Sequence, residues 1–262
     1  MGTDEYGKLI QQHLEKANVN LPQGFADKRR TSTATVPLEP QGVASYTFDL
    51  NWEIKVPGIS GAAIVHTGPI GAVLEPGGAA VGATMSSAGP SDLRTHDPII
   101  RADIMGEPSS VRGPVYELAT SCHVVKLSDE DVAWITRSRR LSPAEVLQRI
   151  ADSDPRFTVL TTGEHGCIAI ADGRTHHLPA RPVELVDTIG AGDVFMSGLI
   201  FALSQGGLGE LLLDDKTSDE LPEHQVISAL ETALASASVA VSRAGAQSPT
   251  IHELHQLIVD TV

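Results

Sequence analysis

The hydrophobic pattern of the first sixty residues changes its period once. Residues 4–17 place Leu9, Ile10 and Leu14 on one face at helical spacing, which predicts an amphipathic helix. Residues 31–56 are rich in Thr, Val and aromatic side chains in partial alternation. That composition is typical of strands and hairpins, so we predict a small antiparallel flap over this segment.

From residue 62 onward, short apolar runs alternate with helix-like stretches. The runs 62–66, 124–127 and 157–160 are four or five residues long, as expected for strands that are buried on both faces. Strands that alternate with helices predict right-handed crossovers and a mostly parallel sheet covered by helices. A ligand site of such a sheet lies at the carboxyl ends of its strands.

Turn and cap residues in the second half of the chain indicate where helices and strands begin and end. Ser142-Pro143-Ala144-Glu145 is a capping box with Pro at the first helical position, and Thr250 with Glu253 caps a final helix. Asp172-Gly173 is a hairpin turn pair, and residues 225–243 form a helix of small residues. The run 91–96 is too polar to be predicted as a buried strand.

Composition narrows the class of protein. The 262 residues carry 33 Asp and Glu against 19 Lys and Arg, a net charge of −14, which argues against a nucleic-acid partner. No apolar run approaches the roughly 18 residues of a membrane span, and no signal peptide precedes the first helix. Two cysteines are too few for a disulfide framework. We therefore expect a cytoplasmic protein that uses neither nucleic acid nor membrane.

The stretch Asp187-Thr188-Ile189-Gly190-Ala191-Gly192-Asp193 carries the clearest chemical signal. Its glycines allow a tight turn and a close approach of the backbone to a ligand. The apolar helix that follows directs its free N–H groups and positive dipole end at this turn, an arrangement that favours phosphate. Asp193 stands at the helix mouth, where a carboxylate can accept a proton. The same residues are also compatible with an ordinary helix cap and loop.

Residues 187–200, DTIGAGDVFMSGLI, resemble the signature of the PfkB-type, or ribokinase-like, sugar kinases. Further segments resemble this family in the expected order, and 124–135 is similar to fructokinase-like members. The resemblance implies an α/β three-layer, ribokinase-like fold with a mostly parallel central sheet. It also implies one domain over residues 1–262, with residues 31–56 as a β lid. The other matching segments are GTDEYG (2–7), TSTATV (31–36), LTTGEHG (160–166) and ASVAVSRAGAQSPT (237–250).

The resemblance implies a role for each matching residue of the phosphoryl-transfer site. Asp193 would be the general base, and the backbone amides of Gly190, Ala191 and Gly192 would stabilise the transferring phosphoryl group. Lys126 would reach the nucleotide phosphates; a solvated lysine at a strand end is the alternative. The residues that would lie along ATP are Thr162, Gly163 and Gly166, for which an ordinary strand–turn–strand is the alternative.

The implied cation sites rest on weaker matches. Ser128 and Asp131 occupy the positions of a pair that helps to hold Mg²⁺ through water, although Ser-x-x-Asp is also close to a capping box. The capping interpretation is slightly favoured. Asp187 and Thr188 match positions that bind a monovalent cation such as K⁺ in some relatives.

The chain departs from the family pattern in the segments that contact the sugar in relatives. Relatives open with a strand, a Gly-Gly sugar loop and a helix, whereas Met1 directly precedes the GTDEYG-like segment, so we expect exposed apolar helix and sheet surface. Residues 97–101 resemble Asp-Pro-Asn-x-Arg, but Ile99 replaces Asn. Arg101 would still meet substrate or phosphate, with an ordinary surface arginine as the alternative.

These observations predict an ATP- and Mg²⁺-dependent sugar kinase, with fructose as the expected acceptor. The lid would close over the sugar and pair two chains into a homodimer. Two alternatives stay open at this point. One is a kinase for ribose, a keto-deoxy sugar acid or a nucleoside. The other is a weakly active or inactive family member that binds nucleotide.

Overall fold

The structure is a computed structural model. It describes residues 1–22, 24–35, 47–55, 58–68, 70–137, 141–153, 155–213 and 220–259. The strands are β1 (Thr33–Thr35), β2 (Thr47–Asp49), β3 (Ile64–Thr67), β4 (Leu93–His96), β5 (Val124–Ser128), β6 (Phe157–Thr161), β7 (Cys167–Ala171) and β8 (Arg174–Leu178). The α-helices are α1 (Glu5–Lys16), α2 (Gly77–Ser86), α3 (Ala102–Met105), α4 (Pro108–Thr120), α5 (Asp129–Ile135), α6 (Pro143–Ala151), α7 (Ala191–Gln205), α8 (Leu208–Leu213), α9 (Glu223–Val241) and α10 (Ile251–Val259).

Six strands form the central sheet in the order β3-β4-β5-β6-β7-β8. Strands β3 to β6 pair in parallel, while β7 and β8 are antiparallel, so the predicted mostly parallel sheet is confirmed. The predicted hairpin turn joins β7 to β8, with Asp172 and Gly173 both at positive φ. Asp172 is held there by Arg156, whose Nε and Nη2 atoms donate to its two carboxylate oxygens at 2.8 Å.

Successive residues of the buried strands point to opposite faces of the sheet, and each face carries its own helices. Val124, Phe157 and Val159 pack with residues of α7, α8 and α9 on one face. On the other face, Val125 and Leu127 pack with residues of α2, α4, α5 and α6. The result is the three-layer α/β arrangement that the alternation of strands and helices predicted.

Helices α7 and α9 lie against each other at small residues. A methyl group at Gly198 would come within 2.4 Å of Ser236 Oγ and 3.1 Å of Ala233 Cα. Ser236 is buried, and its hydroxyl donates a hydrogen bond to the carbonyl oxygen of Thr232. The close approach of these helices therefore depends on the absence of a side chain at position 198.

Residues 91–96, which are too polar to be predicted as a buried strand, do contain one. Leu93–His96 is strand β4, and Thr95 and His96 are both buried. Thr95 Oγ1 lies 2.9 Å from His66 Nδ1, and His96 Nδ1 lies 3.2 Å from the carbonyl oxygen of Thr67. These contacts offset the desolvation of the polar side chains, which hydrophobicity alone does not register.

The predicted flap is partly described. Strands β1 and β2 pair antiparallel, with Thr33 opposite Asp49, while residues 36–46 and 56 lie outside the described residues. Trp52 follows β2 and packs on Gly71 and Gly77, and its indole N–H donates to the carbonyl oxygen of Gly71 at 2.8 Å. This contact ties the two-stranded ribbon to the segment before α2.

Helix α1 is capped by Asp4, whose carboxylate accepts hydrogen bonds from Gly7 and Thr31. Its predicted apolar face is uncovered, because Leu9 is 57% and Ile10 40% exposed. This exposure agrees with the expectation of uncovered apolar helix surface. Among the helices that the structure describes, none is long and apolar enough to cross a membrane.

Candidate active site

The predicted glycine turn lies at the entrance to α7. Gly190 precedes the helix at φ +76°, a conformation that residues with a Cβ rarely adopt, and a methyl group there would come within 2.6 Å of Ala246 Cβ. Asp193 is in the first turn of the helix. The turn and the carboxylate are therefore side by side, as the sequence predicted.

Three backbone amides of this turn are open. Those of Gly190, Gly192 and Asp193 have no acceptor within the described part of the chain. The Ala191 amide differs, because it donates to the carbonyl oxygen of Thr188 at 3.2 Å. This corrects the expectation for Ala191, because its N–H closes the turn. The amides that are available to an anion are those of Gly190, Gly192 and Asp193.

The Asp193 side chain is exposed, and in the described ranges its carboxylate accepts no hydrogen bond. A carboxylate at the N-terminus of a helix is stabilised in its charged form by the helix dipole. An open carboxylate beside unpaired amides can accept a proton from a hydroxyl that attacks a bound phosphoryl group.

Lys126 is buried beneath the turn and forms an ion pair with Asp97. Its Nζ lies 3.2 Å from Oδ1 and 3.1 Å from Oδ2 of Asp97, and both side chains are 2% exposed. Burial raises the pKa of Asp97, and Lys126 opposes that rise. A methyl group at Gly192 would lie 2.9 Å from the ammonium. The alternative of a solvated lysine is therefore wrong, since the ammonium is buried under the glycine turn.

Asp131 forms the capping box of α5. Its Oδ2 accepts hydrogen bonds from the amide and hydroxyl of Ser128, and its Oδ1 accepts one from Ile100 N at 2.7 Å. The side chain is buried, and both oxygens bind protein donors. These contacts are the ones that the capping interpretation favoured, and the assignment of Asp131 to Mg²⁺ stays a prediction.

Residues Thr162–Gly166 connect β6 to β7 at the same end of the sheet. The Thr162 amide and hydroxyl both donate to the carbonyl oxygen of Gly166, at 2.8 and 3.1 Å. A methyl group at Gly166 would come within 2.1 Å of Leu178 O, whereas Gly163, at φ +56°, faces open space. The segment is thus a tight strand–turn–strand with one glycine open to a ligand.

Asp187 ties the turn to a neighbouring loop. Its two carboxylate oxygens accept hydrogen bonds from Ile189 N and Gly245 N, both at 2.9 Å. These backbone donors lower the pKa of Asp187. The carboxylate remains charged, and it fixes the backbone that leads into Gly190.

The chain matches the model of the pfkB family carbohydrate kinases over residues 1–253. It belongs to the pfkB family. The carbohydrate kinases of this family are phosphotransferases whose acceptor is a sugar hydroxyl, which is the chemistry that an open amide turn beside a carboxylate allows. The expected class of enzyme is thereby confirmed.

Named relatives and solved structures agree with this assignment. The chain is 30% identical to a fructokinase of Salmonella typhimurium over 219 residues, which are 79% of this chain and 70% of the relative. Fructokinase from Xylella fastidiosa with bound ATP superposes with a TM-score of 0.85 at 19% identity, over 100% of this chain and 84% of that one. A double mutant of Vibrio cholerae fructokinase, bound to fructose, ADP and potassium ion, gives 0.80 at 22%, over 98% and 82%. The ribokinase-like fold is confirmed.

In the part of the chain that the structure describes, the carboxylates do not form a metal cage. Within the described residues, no three His, Cys, Asp or Glu side chains lie close enough to hold a metal ion. Mg²⁺ in kinases usually enters with the nucleotide phosphates and takes only one or two carboxylates from the protein. The open Asp193 carboxylate fits that mode better than the enclosed Asp131.

Arg101 is at the N-cap position of α3 and contacts the residue before it. It is exposed, and its Nη1 donates to the carbonyl oxygen of Ile100 at 3.2 Å. Asp97, only four residues earlier, belongs to the site although the sequence pointed to it only within the altered 97–101 segment. No sequence signal identified Asp97 as part of this site, because the polar run before it was not predicted to be a strand.

Proposed function

We propose that this kinase transfers the γ-phosphoryl group of MgATP to a hydroxyl of fructose. One observation carries the proposal. The exposed Asp193 carboxylate stands in the same helix turn as the open amides of Gly190 and Gly192, so a base and an anion-binding site face the same space. Positioning and charge stabilisation are the main demands of phosphoryl transfer.

Asp193 takes the proton of the attacking sugar hydroxyl. The sugar oxygen forms its bond to the γ-phosphorus while the bond to the bridging oxygen of ADP breaks. The Gly190 and Gly192 amides donate to the equatorial oxygens of the transferring group, and the buried Lys126 ammonium adds positive charge beneath them. Each protein group thus acts where negative charge accumulates.

The nucleotide is proposed to lie along Thr162, Gly163 and Gly166. Gly163 supports this placement, because it leaves open space at the carboxyl end of β6. Strands β5 and β6 are neighbours, with Ser128 opposite Thr161, so this turn and Lys126 share one edge of the sheet. Ligands of open α/β sheets bind at that edge.

Two cations complete the proposed site. Mg²⁺ would bind with ATP and would neutralise its phosphate charge, and the exposed Asp193 carboxylate is a protein oxygen that could face it. K⁺ is proposed beside Asp187 and Thr188, where the turn meets the loop of Gly245. The Vibrio cholerae fructokinase structure that holds potassium supports this choice of ion.

Fructose is preferred to other acceptors because the named relatives are fructokinases. Arg101 is proposed to contact the sugar or its phosphate from its exposed position after β4. The ribbon of β1 and β2 is proposed as the lid that excludes water during transfer.

The same ribbon is proposed to pair two chains. An isolated two-stranded ribbon is marginally stable in water, and β1 and β2 have three residues each. Covering the ribbon with a second copy stabilises it. Sedimentation should therefore give a dimer, and a monomer at every protein concentration would contradict the proposed pairing.

A coupled assay of ADP release over a panel of sugars tests the proposed reaction. Fructose should give the highest kcat/KM, and Asp193→Asn should lower kcat by about 10²–10⁴-fold, the usual contribution of a general base. Asp152→Asn, at the end of α6, is the matched control and should retain full activity. Equal turnover by wild type and Asp193→Asn would contradict the proposal. Nucleotide-dependent thermal stabilisation without turnover would favour the inactive nucleotide-binding alternative.

A further inference from the structure

Asp97 and Lys126 meet because adjacent parallel strands deliver them to the same level of the sheet. His96 is opposite Val125 in the pairing of β4 with β5. The next residues along the two segments, Asp97 and Lys126, are therefore neighbours at the carboxyl edge of the sheet. Nζ of Lys126 is within 3.2 Å of both carboxylate oxygens. This bidentate contact holds a long, flexible side chain in one position.

The fixed ammonium lies against the catalytic turn. A methyl group at Gly192 would be 2.9 Å from Nζ, so the lysine occupies the space that a side chain at position 192 would take. Gly192 also supplies one of the open amides. The charge of Lys126 is therefore directed at the place where the phosphoryl group is proposed to bind.

The backbone around Asp97 is held from three sides. Asp97 N donates to Thr67 O of β3 at 3.1 Å, and Asp97 O accepts from Ile99 N at 2.8 Å. Ile100 N donates to the buried Asp131 carboxylate at 2.7 Å. The backbone around Asp97 is thus bonded to β3 and, through Ile100, to the capping box of α5. The Asp97 side chain is bonded to Lys126 of β5.

We propose that Asp97 is a positioning residue for phosphoryl transfer, which acts by holding the Lys126 ammonium against the Gly192 turn. The inference rests on the proposed function and adds to it a residue that never touches substrate. A buried ammonium is costly without a counter-charge, and a lysine freed from its partner gains rotamers that carry its charge away from the turn. The alternative is a purely structural bridge between β4 and β5.

A double-mutant cycle separates these interpretations. kcat and KM are measured for wild type, Asp97→Asn, Lys126→Met and the double variant, in which neither buried charge is left unpaired. Asp97→Asn should lower kcat about 10–100-fold with KM values for ATP and fructose within threefold, because misplacing a catalytic charge costs this much. The double variant should match Lys126→Met, since Asp97 acts only through that lysine.

A second pair provides the matched control. Arg156 and Asp172 form a comparable ion pair at 2.8 Å, at the other end of β6. Asp172→Asn should lower the thermal midpoint while leaving kcat at 25 °C unchanged. Asp97→Glu, which keeps the charge, should recover part of the kcat lost in Asp97→Asn.

Three results would overturn the inference. They are an unchanged kcat in Asp97→Asn, losses that add in the double variant, and a rise in the KM for ATP without a fall in kcat. If wild type turns over no sugar, the proposed function fails by itself. The four proteins are then titrated with MgADP, with and without aluminium fluoride, a mimic of the transferring group. The inference survives only if Asp97→Asn weakens the fluoride-dependent binding, and does so only when Lys126 is present.

Discussion

Gly190 and Gly192 belong to one turn but are required for different physical reasons. Gly190 adopts φ +76°, which disfavours any side chain. Gly192 has no such backbone constraint, and what excludes a side chain there is the Lys126 ammonium, 2.9 Å from the position of a methyl group. Substitutions at the two positions should therefore fail in distinguishable ways.

Gly192→Ala should displace the ammonium and lower kcat about 10–100-fold, since displacements near 1 Å at a reacting centre have effects of this size. In a Lys126→Met background the added methyl has less to displace, so the further loss should be small. Steady-state kinetics on the four proteins provide the measurement. An equally large loss in both backgrounds would show that the methyl group obstructs the substrate itself.

Gly190→Ala should reduce stability as well as activity. A left-handed alanine costs on the order of 1 kcal/mol, and the contact with Ala246 Cβ at 2.6 Å adds to that cost. Urea unfolding should show a lower midpoint with an unchanged m-value. A midpoint equal to that of wild type would mean that the turn relaxes without cost.

At the scale of elements, the helix that follows the glycine turn, α7, packs closely against α9 at Gly198. Gly198→Ala would press a methyl group onto Ser236 and Ala233, so the free energy of unfolding should fall by about 1–3 kcal/mol. Gly82→Ala in α2 is the matched control: nothing lies within 4 Å of its methyl group, and higher helix propensity should stabilise the protein slightly. Similar effects of the two substitutions in urea unfolding would contradict close packing at position 198.

Local signals in the sequence predicted the elements that depend on local chemistry. The Ser142 capping box, the Asp172-Gly173 turn and the cap at Thr250 are all present, because each is formed by residues within a few positions of one another. Strand β4 was missed because two of its polar side chains, Thr95 and His96, each form a hydrogen bond with β3, far away in sequence. The catalytic turn is likewise a continuous motif, whereas the Asp97–Lys126 pair arises only from the register of two strands.

At the scale of the whole molecule, pH should change stability through buried His96. Its pKa is lowered to about 4, mainly by burial, so the unfolded chain takes up a proton near pH 6.5 that the folded chain takes up only near pH 4. The free energy of unfolding should therefore fall as the pH drops from 6.5 to 4, by up to about 3 kcal/mol.

Urea unfolding at pH 7, 5.5 and 4 measures this dependence. Burial also lowers the pKa of His66 to about 4, so His96→Gln should remove part of the dependence and leave the part that His66 contributes. His13→Gln, on the exposed helix α1, should leave the dependence as in wild type. An unchanged slope in His96→Gln would assign the dependence to other groups. Below pH 4 a further decline is expected, because hydrogen bonds from Thr31 and Gly7 lower the pKa of Asp4 to about 2.

The turn that joins β7 to β8 affects how fast the backbone degrades chemically during storage. In an Asp-Gly sequence the glycine nitrogen can attack the aspartate carboxyl group, and the resulting ring opens to isoaspartate. Here the Asp172 carboxylate is held by two contacts from Arg156 and by the Leu221 amide at 2.8 Å, and these contacts restrict the side-chain rotation that the attack requires. The same salt link that fixes a turn should thus slow the chemical decay of the backbone during long storage.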